Sequence, residues 1–228
     1  MLAVEKHMLN LNKSTDKDFF KNWPGHWPTK ENFVDTHKAT KKQYLAFKKI
    51  IAQNSSETEI EIFLRDNKEI VALITFLFST GHHASWLFPK QHLRSPANNI
   101  GGKIPDYVVA AANSGGVSWY VLELKGANQK TFINKSKRVH LSSETNKGVC
   151  QLIEYIDVST RSQSYLRDEL KLKGYREPKG ILLIGTEEES ENSQVRDFKA
   201  AWNRMNSQIQ IYSYNRFLRV IEQKIKHG

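Results

Sequence analysis

Residues 104–125 carry the sequence IPDYVVAAANSGGVSWYVLELK, in which two apolar segments flank a short polar one. The apolar segments, 104–112 and 117–124, are rich in the valine and aromatic residues that favour β-strands. Between them, Asn113-Ser114-Gly115-Gly116 predicts a hairpin turn, because asparagine and glycine adopt positive φ at low cost. The stretch therefore predicts two antiparallel strands joined by a tight turn.

Three ionisable side chains lie at the open end of this predicted hairpin. Asp106 is near the start of the first strand, and Glu123 and Lys125 are at the end of the second. Because side chains alternate along a strand, Glu123 and Lys125 face the same way while Leu124 points into the core. The antiparallel hairpin brings Asp106 close to Glu123, which predicts two carboxylates and an ammonium group on one surface patch.

Such a patch has the chemistry of a magnesium site. Mg²⁺ prefers hard oxygen ligands, keeps several waters and is held by one or two carboxylates together with substrate phosphate. It can lower the pKa of a bound water and stabilise the charge of a phosphodiester transition state. Lys125 could orient that water, help to deprotonate it, or offset charge on the phosphate. The alternative is an ordinary surface hairpin with a Glu-x-Lys pair.

Two helices are predicted to add polar side chains to this patch. Gln151 and Tyr155 are four residues apart on the helix after the hairpin, so they share a face. Glutamine can hold a water at a metal, and tyrosine can hydrogen-bond to phosphate. Glu57 and Glu61 share a face of an earlier helix, and one of them could be a third carboxylate. The alternatives are a buried tyrosine with a satisfied hydroxyl and a solvated acidic face.

The charge of the chain bears on its partners. A formal net charge of +10 favours a polyanion such as nucleic acid, or an anionic membrane surface, although a soluble protein with a basic surface is equally compatible. A basic loop predicted from 125 to 138 joins the second hairpin strand to the next helix and should lie beside the metal. The candidate phosphate contacts are Lys130, Lys135, Lys137, Arg138 and Lys147.

The remaining pattern predicts an α/β domain with a mixed sheet. Residues 70–78 are compatible with a helix or a strand, and 81–102 are expected to cross the surface. Strands are predicted at 179–186 and 209–213. The predicted helices run from 38 to about 53 with Thr36 as cap, from Ser56, from Ser142 or Ser143 to about 157, and over 165–173, 195–206 and 214–226.

Other features point to a cytoplasmic protein without a membrane segment. Cys150 is the single cysteine, so an intrachain disulfide is impossible and a reducing compartment is expected. The longest apolar run, 70–78, is far shorter than the roughly 20 residues of a membrane helix. The first residues lack the charged start and apolar core of a signal peptide.

The order of these motifs resembles the PD-(D/E)xK nuclease superfamily and, within it, the Shedu anti-phage defence nucleases. The resemblance covers roughly residues 55–220, and the order of acidic helix, PD strand, ExK strand and QxxxY helix is far more specific than any one motif. The matching segments are 57–67, 104–109, 121–125, 151–155, 180–185 and 211–214.

The resemblance implies a mixed-sheet, restriction-endonuclease-like α/β core with flanking helices over 55–228. It follows an N-terminal helical segment, 1–54, that varies in the family and is a candidate for sensing or regulation. The implied metal ligands for Mg²⁺ or Mn²⁺ are Asp106, Glu123 and Glu57, with Glu61 as second choice. Lys125 is the implied catalytic lysine, and the implied supporting residues are Gln151 and Tyr155.

The same resemblance implies cleavage or nicking of double-stranded DNA in defence against phage, by homo-oligomers that are often tetramers. Two other functions are compatible with the residues. One is a DNA-binding or assembly module that keeps the nuclease fold without cutting. The other is a restriction or repair nuclease, which would prefer particular sequences or structures at its cut sites.

Overall fold

The centre of the fold is a mixed six-stranded sheet with helices on both faces. The computed structural model describes residues 23–78, 82–93, 103–135, 138–187 and 193–227. In chain order the strands are β1 (Phe33–Val34), β2 (Ala84–Pro89), β3 (Tyr107–Asn113), β4 (Gly116–Leu124), β5 (Phe132–Lys135), β6 (Arg138–Leu141), β7 (Lys179–Leu183) and β8 (Ile209–Tyr212). The order across the sheet is β1-β2-β3-β4-β7-β8.

The sheet is antiparallel from β1 to β4 and parallel from β4 to β8. The predicted hairpin is confirmed as β3 and β4. In its turn the Asn113 side chain accepts a hydrogen bond from the Gly115 N–H at 2.8 Å. Gly116 has a φ of +116°, which residues with a side chain rarely adopt. The strand directions and the order of helices and strands confirm the predicted α/β class, the mixed sheet and the flanking helices.

Strand β2 was not predicted. Residues 81–102 were expected to cross the surface, but Ala84–Pro89 pairs with both β1 and β3, and Trp86 is fully buried. The prediction was wrong because a strand covered on both faces shows no alternation of polar and apolar residues. Residues 94–102, which belonged to the same prediction, lie outside the described ranges.

One face of the sheet is covered by four helices and a 3-10 segment. Ser56 caps the second helix as predicted, but the first begins at Lys41 with Thr40 as its cap, because Gln43 completes a capping box there. Thr36–Lys38 is a separate 3-10 turn, and the undecided 70–78 segment is helical and buried. The elements are α1 (Lys41–Ala52), α2 (Glu57–Arg65), α3 (Lys68–Ala72), the 3-10 segment Leu73–Leu77 and α7 (Tyr214–His227).

The other face is covered by α4 (Ser143–Arg161), α5 (Gln163–Asp168) and α6 (Ser193–Met205). Helix α4 is capped by Ser142 and makes the crossover between the parallel strands β4 and β7. It packs very closely, since a Cβ on its Gly148 would lie 2.6 Å from Leu182 on β7. Helix α5 is shorter than predicted, and Lys171 after it has a φ of +59°, which is incompatible with helix.

The predicted basic loop contains structure of its own. β5 and β6 form a separate two-stranded antiparallel ribbon, in which Lys135 pairs with Arg138. An uninterrupted loop was therefore the wrong prediction for this segment. Across the described ranges, no helix combines the length and the apolar composition needed to cross a lipid bilayer.

Candidate active site

Asp106 is fixed at the open end of the hairpin by hydrogen bonds to both of its carboxylate oxygens. Oδ2 accepts from the backbone N–H of Leu124 at 2.7 Å, which ties Asp106 to the end of β4. Oδ1 accepts from the Lys90 ammonium at 2.6 Å. The residue is only 6% exposed. The expected proximity of Asp106 to the end of the second strand is therefore confirmed.

Lys125 is held by its backbone as well as by its side chain. Its N–H donates to the Leu183 carbonyl at 2.9 Å, and its carbonyl accepts from the Tyr214 hydroxyl at 2.6 Å. Its ammonium donates to Glu123 Oε1 at 2.8 Å and lies 3.5 Å from Glu57 Oε2. The same-side placement of Glu123 and Lys125 is as predicted, and the α2 carboxylate joins them.

The three hairpin side chains do not form the surface patch that strand alternation predicted. Glu123 and Lys125 are 4% and 3% exposed. The chain after β4 turns towards α2, where the Ala127 N–H donates to the Ser55 carbonyl at 2.9 Å. That crossing covers the end of the strand, which alternation along the strand alone cannot reveal. The charges are therefore held in a site of low dielectric, where their interactions are stronger than in water.

Burial and mutual repulsion shape the charges of this site. Burial, and next the negative charge of Asp106, raise the pKa of Glu123 to about 7. Burial also raises the pKa of Glu57, against the opposing charge of Lys125. For Lys125 itself burial works to lower the pKa, but the bond to Glu123 outweighs it and the net shift is upward. The bond to Glu123 therefore favours the ammonium form of Lys125, and its role in any reaction stays a prediction.

Lys90 is a member of the site that no sequence pattern indicated. It follows β2, with a left-handed backbone (φ +48°), and its N–H donates to the Asp106 carbonyl at 2.9 Å. Its ammonium bridges Asp106 and Glu61. Each lysine thus joins one carboxylate of the hairpin to one of α2, so both Glu57 and Glu61 reach the site. The choice between them as a third metal ligand stays a prediction.

Gln151 and Tyr155 of α4 lie beside the same carboxylates. Burial, followed by the negative charge of Glu123, raises the pKa of the Tyr155 hydroxyl. Gln151 Nε2 donates to that hydroxyl at 3.5 Å. Within the described ranges Gln151 Oε1 is buried without a hydrogen-bond partner. A buried acceptor left unpaired is costly, so this oxygen is available to a donor that a bound group would bring.

The chemistry of these donors is compatible with a divalent cation. The carboxylates of the site outnumber its two ammonium groups by two, which a divalent cation would balance. Asp106 and Glu123 are hard oxygen donors, and Mg²⁺ commonly takes only one or two carboxylates besides phosphate and water. In the described part of the chain, however, no three His, Cys, Asp or Glu residues are grouped as a ready-made metal site.

Four of the five basic residues predicted to contact phosphate are exposed. Lys135 and Arg138 face each other on the β5–β6 ribbon, Lys130 precedes it, and Lys147 is on α4. Lys137 lies outside the described residues. The ribbon is connected to α6 by a hydrogen bond between Asn134 and Gln194 at 3.0 Å. These side chains are accessible to a polyanion, and their contact with phosphate stays a prediction.

The sequence was compared with those of known protein families. The family described as Shedu protein SduA, C-terminal, matches residues 54–218. The chain belongs to the Shedu family. Every residue of the candidate site, from Glu57 to Tyr214, lies inside the matched range, and membership of the Shedu family implies a role in Shedu anti-phage defence. No curated protein matches this Shedu chain.

Proposed function

We propose that the chain is a metal-dependent DNA endonuclease of a phage-defence system, built on a PD-(D/E)xK core. The observation that carries the proposal is the buried cluster at the open end of the hairpin. Asp106, Glu123 and Lys125 occur there in the order and spacing of that superfamily, with an excess of negative charge. Keeping such charges buried is costly in free energy, which favours a functional over a structural role.

Each residue has a distinct task in the proposed reaction. Asp106 and Glu123, with Glu57 as the third candidate, would hold Mg²⁺ or Mn²⁺ through carboxylate oxygens. When bound, such an ion supplies a Lewis acid and a water of lowered pKa. Lys125 offsets negative charge on the phosphodiester. Gln151 and Tyr155 would orient the attacking water and a phosphate oxygen.

Double-stranded DNA is the proposed substrate. The exposed cationic groups at Lys130, Lys135, Arg138 and Lys147 support it, together with Lys137 and the net charge of +10. Each phosphate that is neutralised should steepen the fall of affinity with salt. Replacing Lys135 and Arg138 by glutamine should weaken DNA binding about equally for all sequences and flatten its salt dependence, measured by fluorescence anisotropy.

Family resemblance also supports a homo-oligomer, and we propose a tetramer that acts in the cytoplasm. Sedimentation velocity over a range of protein concentrations tests the assembly. A single species at four times the chain mass of 26.3 kDa is the expected result. A monomer at every concentration would contradict it without affecting the proposed chemistry.

The decisive experiment is cleavage of plasmid DNA by purified protein. Supercoiled and linear plasmid are incubated with Mg²⁺, Mn²⁺ or EDTA, and nicked and linear products are separated on gels. Wild type should cut with metal and not with EDTA. Asp106→Asn and Lys125→Ala should each reduce the rate by about 10²–10³-fold while melting cooperatively. Undiminished cleavage by both variants would refute the assignment.

The second candidate is a DNA-binding or assembly module that does not cut. It is favoured by one observation: across the described residues, no preformed group of three metal-binding side chains is present. This candidate predicts DNA binding without cleavage under every metal condition, and binding that Asp106→Asn leaves intact. A restriction or repair nuclease would differ from both by cutting preferentially at particular sequences or structures.

A further inference from the structure

We propose that Lys90 is a displaceable counter-ion: its ammonium occupies Asp106 until a divalent cation binds there, and is then free to contact the phosphate of the substrate. The inference rests on the proposed function and adds to it a residue and a role. No spacing pattern of the nuclease motifs contains this lysine, and its place in the site follows from the position of β2 beside β3.

The first support is the way in which Asp106 is occupied. Its Oδ2 is committed to the backbone N–H of Leu124, and its Oδ1 accepts from Lys90 at 2.6 Å. A cation that binds through Oδ1 must therefore replace the ammonium there. Like charges cannot share one buried oxygen without a large repulsive cost, because the local dielectric is low. Lys90 and a metal ion thus compete for Asp106.

The second support is the contrast between the two lysines. The side chain of Lys125 is 4% exposed, whereas that of Lys90 is 56% exposed. A half-exposed lysine can exchange one carboxylate for solvent or for a ligand, since water solvates the ammonium, and the second partner of Lys90, Glu61, keeps it at the site. Lys125 is consequently the fixed charge of the site, and Lys90 is the movable one.

The third support is the backbone of Lys90. Its φ of +48° is in the left-handed region, which residues other than glycine, asparagine and aspartate seldom adopt. The N–H bond to the Asp106 carbonyl anchors that conformation. The ammonium can therefore move while its backbone stays bonded to that of Asp106. From that position it remains within reach of a phosphate held by a cation at Asp106.

The test measures Mn²⁺ binding by calorimetry without DNA, and separately the rate of plasmid nicking. Lys90→Met removes the competing charge and keeps an unbranched side chain. It should bind Mn²⁺ about tenfold more tightly than wild type, because a charge-assisted hydrogen bond to Asp106 no longer has to be broken. At saturating Mn²⁺ its nicking should be about tenfold slower, chiefly through a raised KM for DNA.

Two further variants control the experiment. Lys90→Arg keeps the charge and should stay within about twofold of wild type in Mn²⁺ affinity. Lys171→Met replaces another lysine with a left-handed backbone (φ +59°), distant in sequence from the site, and should change neither measurement. It therefore controls for any general effect of this substitution on a strained backbone. Thermal melting establishes that all variants fold.

The outcomes separate the two proposals. Tighter Mn²⁺ binding together with slower nicking supports the displaceable lysine, since a merely structural residue would weaken both. If wild type binds Mn²⁺ and depends on Asp106 to do so, but Lys90→Met binds it equally or more weakly, the role of Lys90 is wrong and the proposed nuclease stands. If wild type binds no Mn²⁺, the proposed function and this inference both fail.

Discussion

The two ends of the β3–β4 hairpin treat buried ionisable groups in opposite ways. At the open end, four carboxyl groups share the site with two ammonium groups, and each lysine contacts two acids. At the turn end, His82 is 8% exposed, and its Nδ1 has no partner among the described residues. Burial, and next the positive charges of His83 and Lys224, lower the pKa of His82 to about 4.

The difference shows what a charge needs in order to survive in a protein interior. Burial away from any opposite charge favours the neutral form of His82, whereas for Lys125 the bond to Glu123 outweighs burial and preserves the ammonium ion. At the turn end, burying His82 in its neutral form costs less free energy than burying a charge, and the neutral ring packs against Phe76 and Tyr120. The open end keeps its ions at a cost in stability, and this is the end to which we assign the chemistry.

The largest expected effect is on DNA cleavage. Glu123→Gln should lower the rate of plasmid nicking by about 10²–10³-fold, because it removes one of the charges proposed to hold the metal. His82→Gln, at the opposite end of the same hairpin, should stay within about twofold of wild type. Equal losses in the two variants would mean that the assay reports on folding of the hairpin rather than on a localised site.

A smaller effect is expected from two buried tyrosine hydroxyls, one at each end. Tyr214→Phe deprives the Lys125 carbonyl of a 2.6 Å hydrogen bond and should lower the free energy of unfolding by about 1–2 kcal/mol. Tyr120→Phe removes a long contact of 3.4 Å to His82 and should cost about 0.5 kcal/mol or less. Urea denaturation measures the loss of unfolding free energy in each variant. A larger loss for Tyr120→Phe than for Tyr214→Phe would contradict the view that the Tyr214–Lys125 bond stabilises the open end.

The smallest effect concerns pH, and its sign differs between the ends. The neutral form of Glu123 contributes stability below pH 4.5, which is lost as the pH rises towards about 7. The neutral form of His82 contributes stability above pH 6.5, which is lost as the pH falls towards about 4. In wild type these two slopes oppose each other between pH 5 and pH 7.

Single substitutions should separate the two slopes. All measurements are made in EDTA. From pH 5 to pH 7, the change in the free energy of unfolding should be about 1 kcal/mol more positive for Glu123→Gln than for wild type. For His82→Gln the same change should be about 1 kcal/mol less positive than for wild type. The measurement is the free energy of unfolding in urea at the two pH values. Parallel curves for both variants and wild type would show that neither group titrates differently on unfolding.

The hairpin was predictable because its information is local. Strand alternation sets the facing of Glu123 and Lys125, and the turn residues set the register that brings Asp106 alongside. The caps at Ser56 and Ser142 could be read for the same reason, since a cap depends on residues within one helical turn. The family could also be recognised, because the order of several such local motifs is distinctive.

What could not be predicted depends on contacts between distant segments. Strand β2 has no alternation, and Lys90 enters the site only because β2 lies beside β3. Burial of Glu123 and Lys125 depends on the crossing of the chain over α2, which no periodicity encodes. The ribbon of β5 and β6 was equally hard to predict, since its strands have only four residues each.

The bond from the Tyr214 hydroxyl to the Lys125 carbonyl also has a meaning for biosynthesis. Its two residues are 89 positions apart. While the ribosome is still adding the intervening residues, the emerging polypeptide already carries the four carboxylates and the two lysines of the site. It nevertheless lacks the contact that closes the strand end behind them. The end of the strand can therefore be closed only after Tyr214 has been made, 89 residues later than the lysine whose carbonyl it binds.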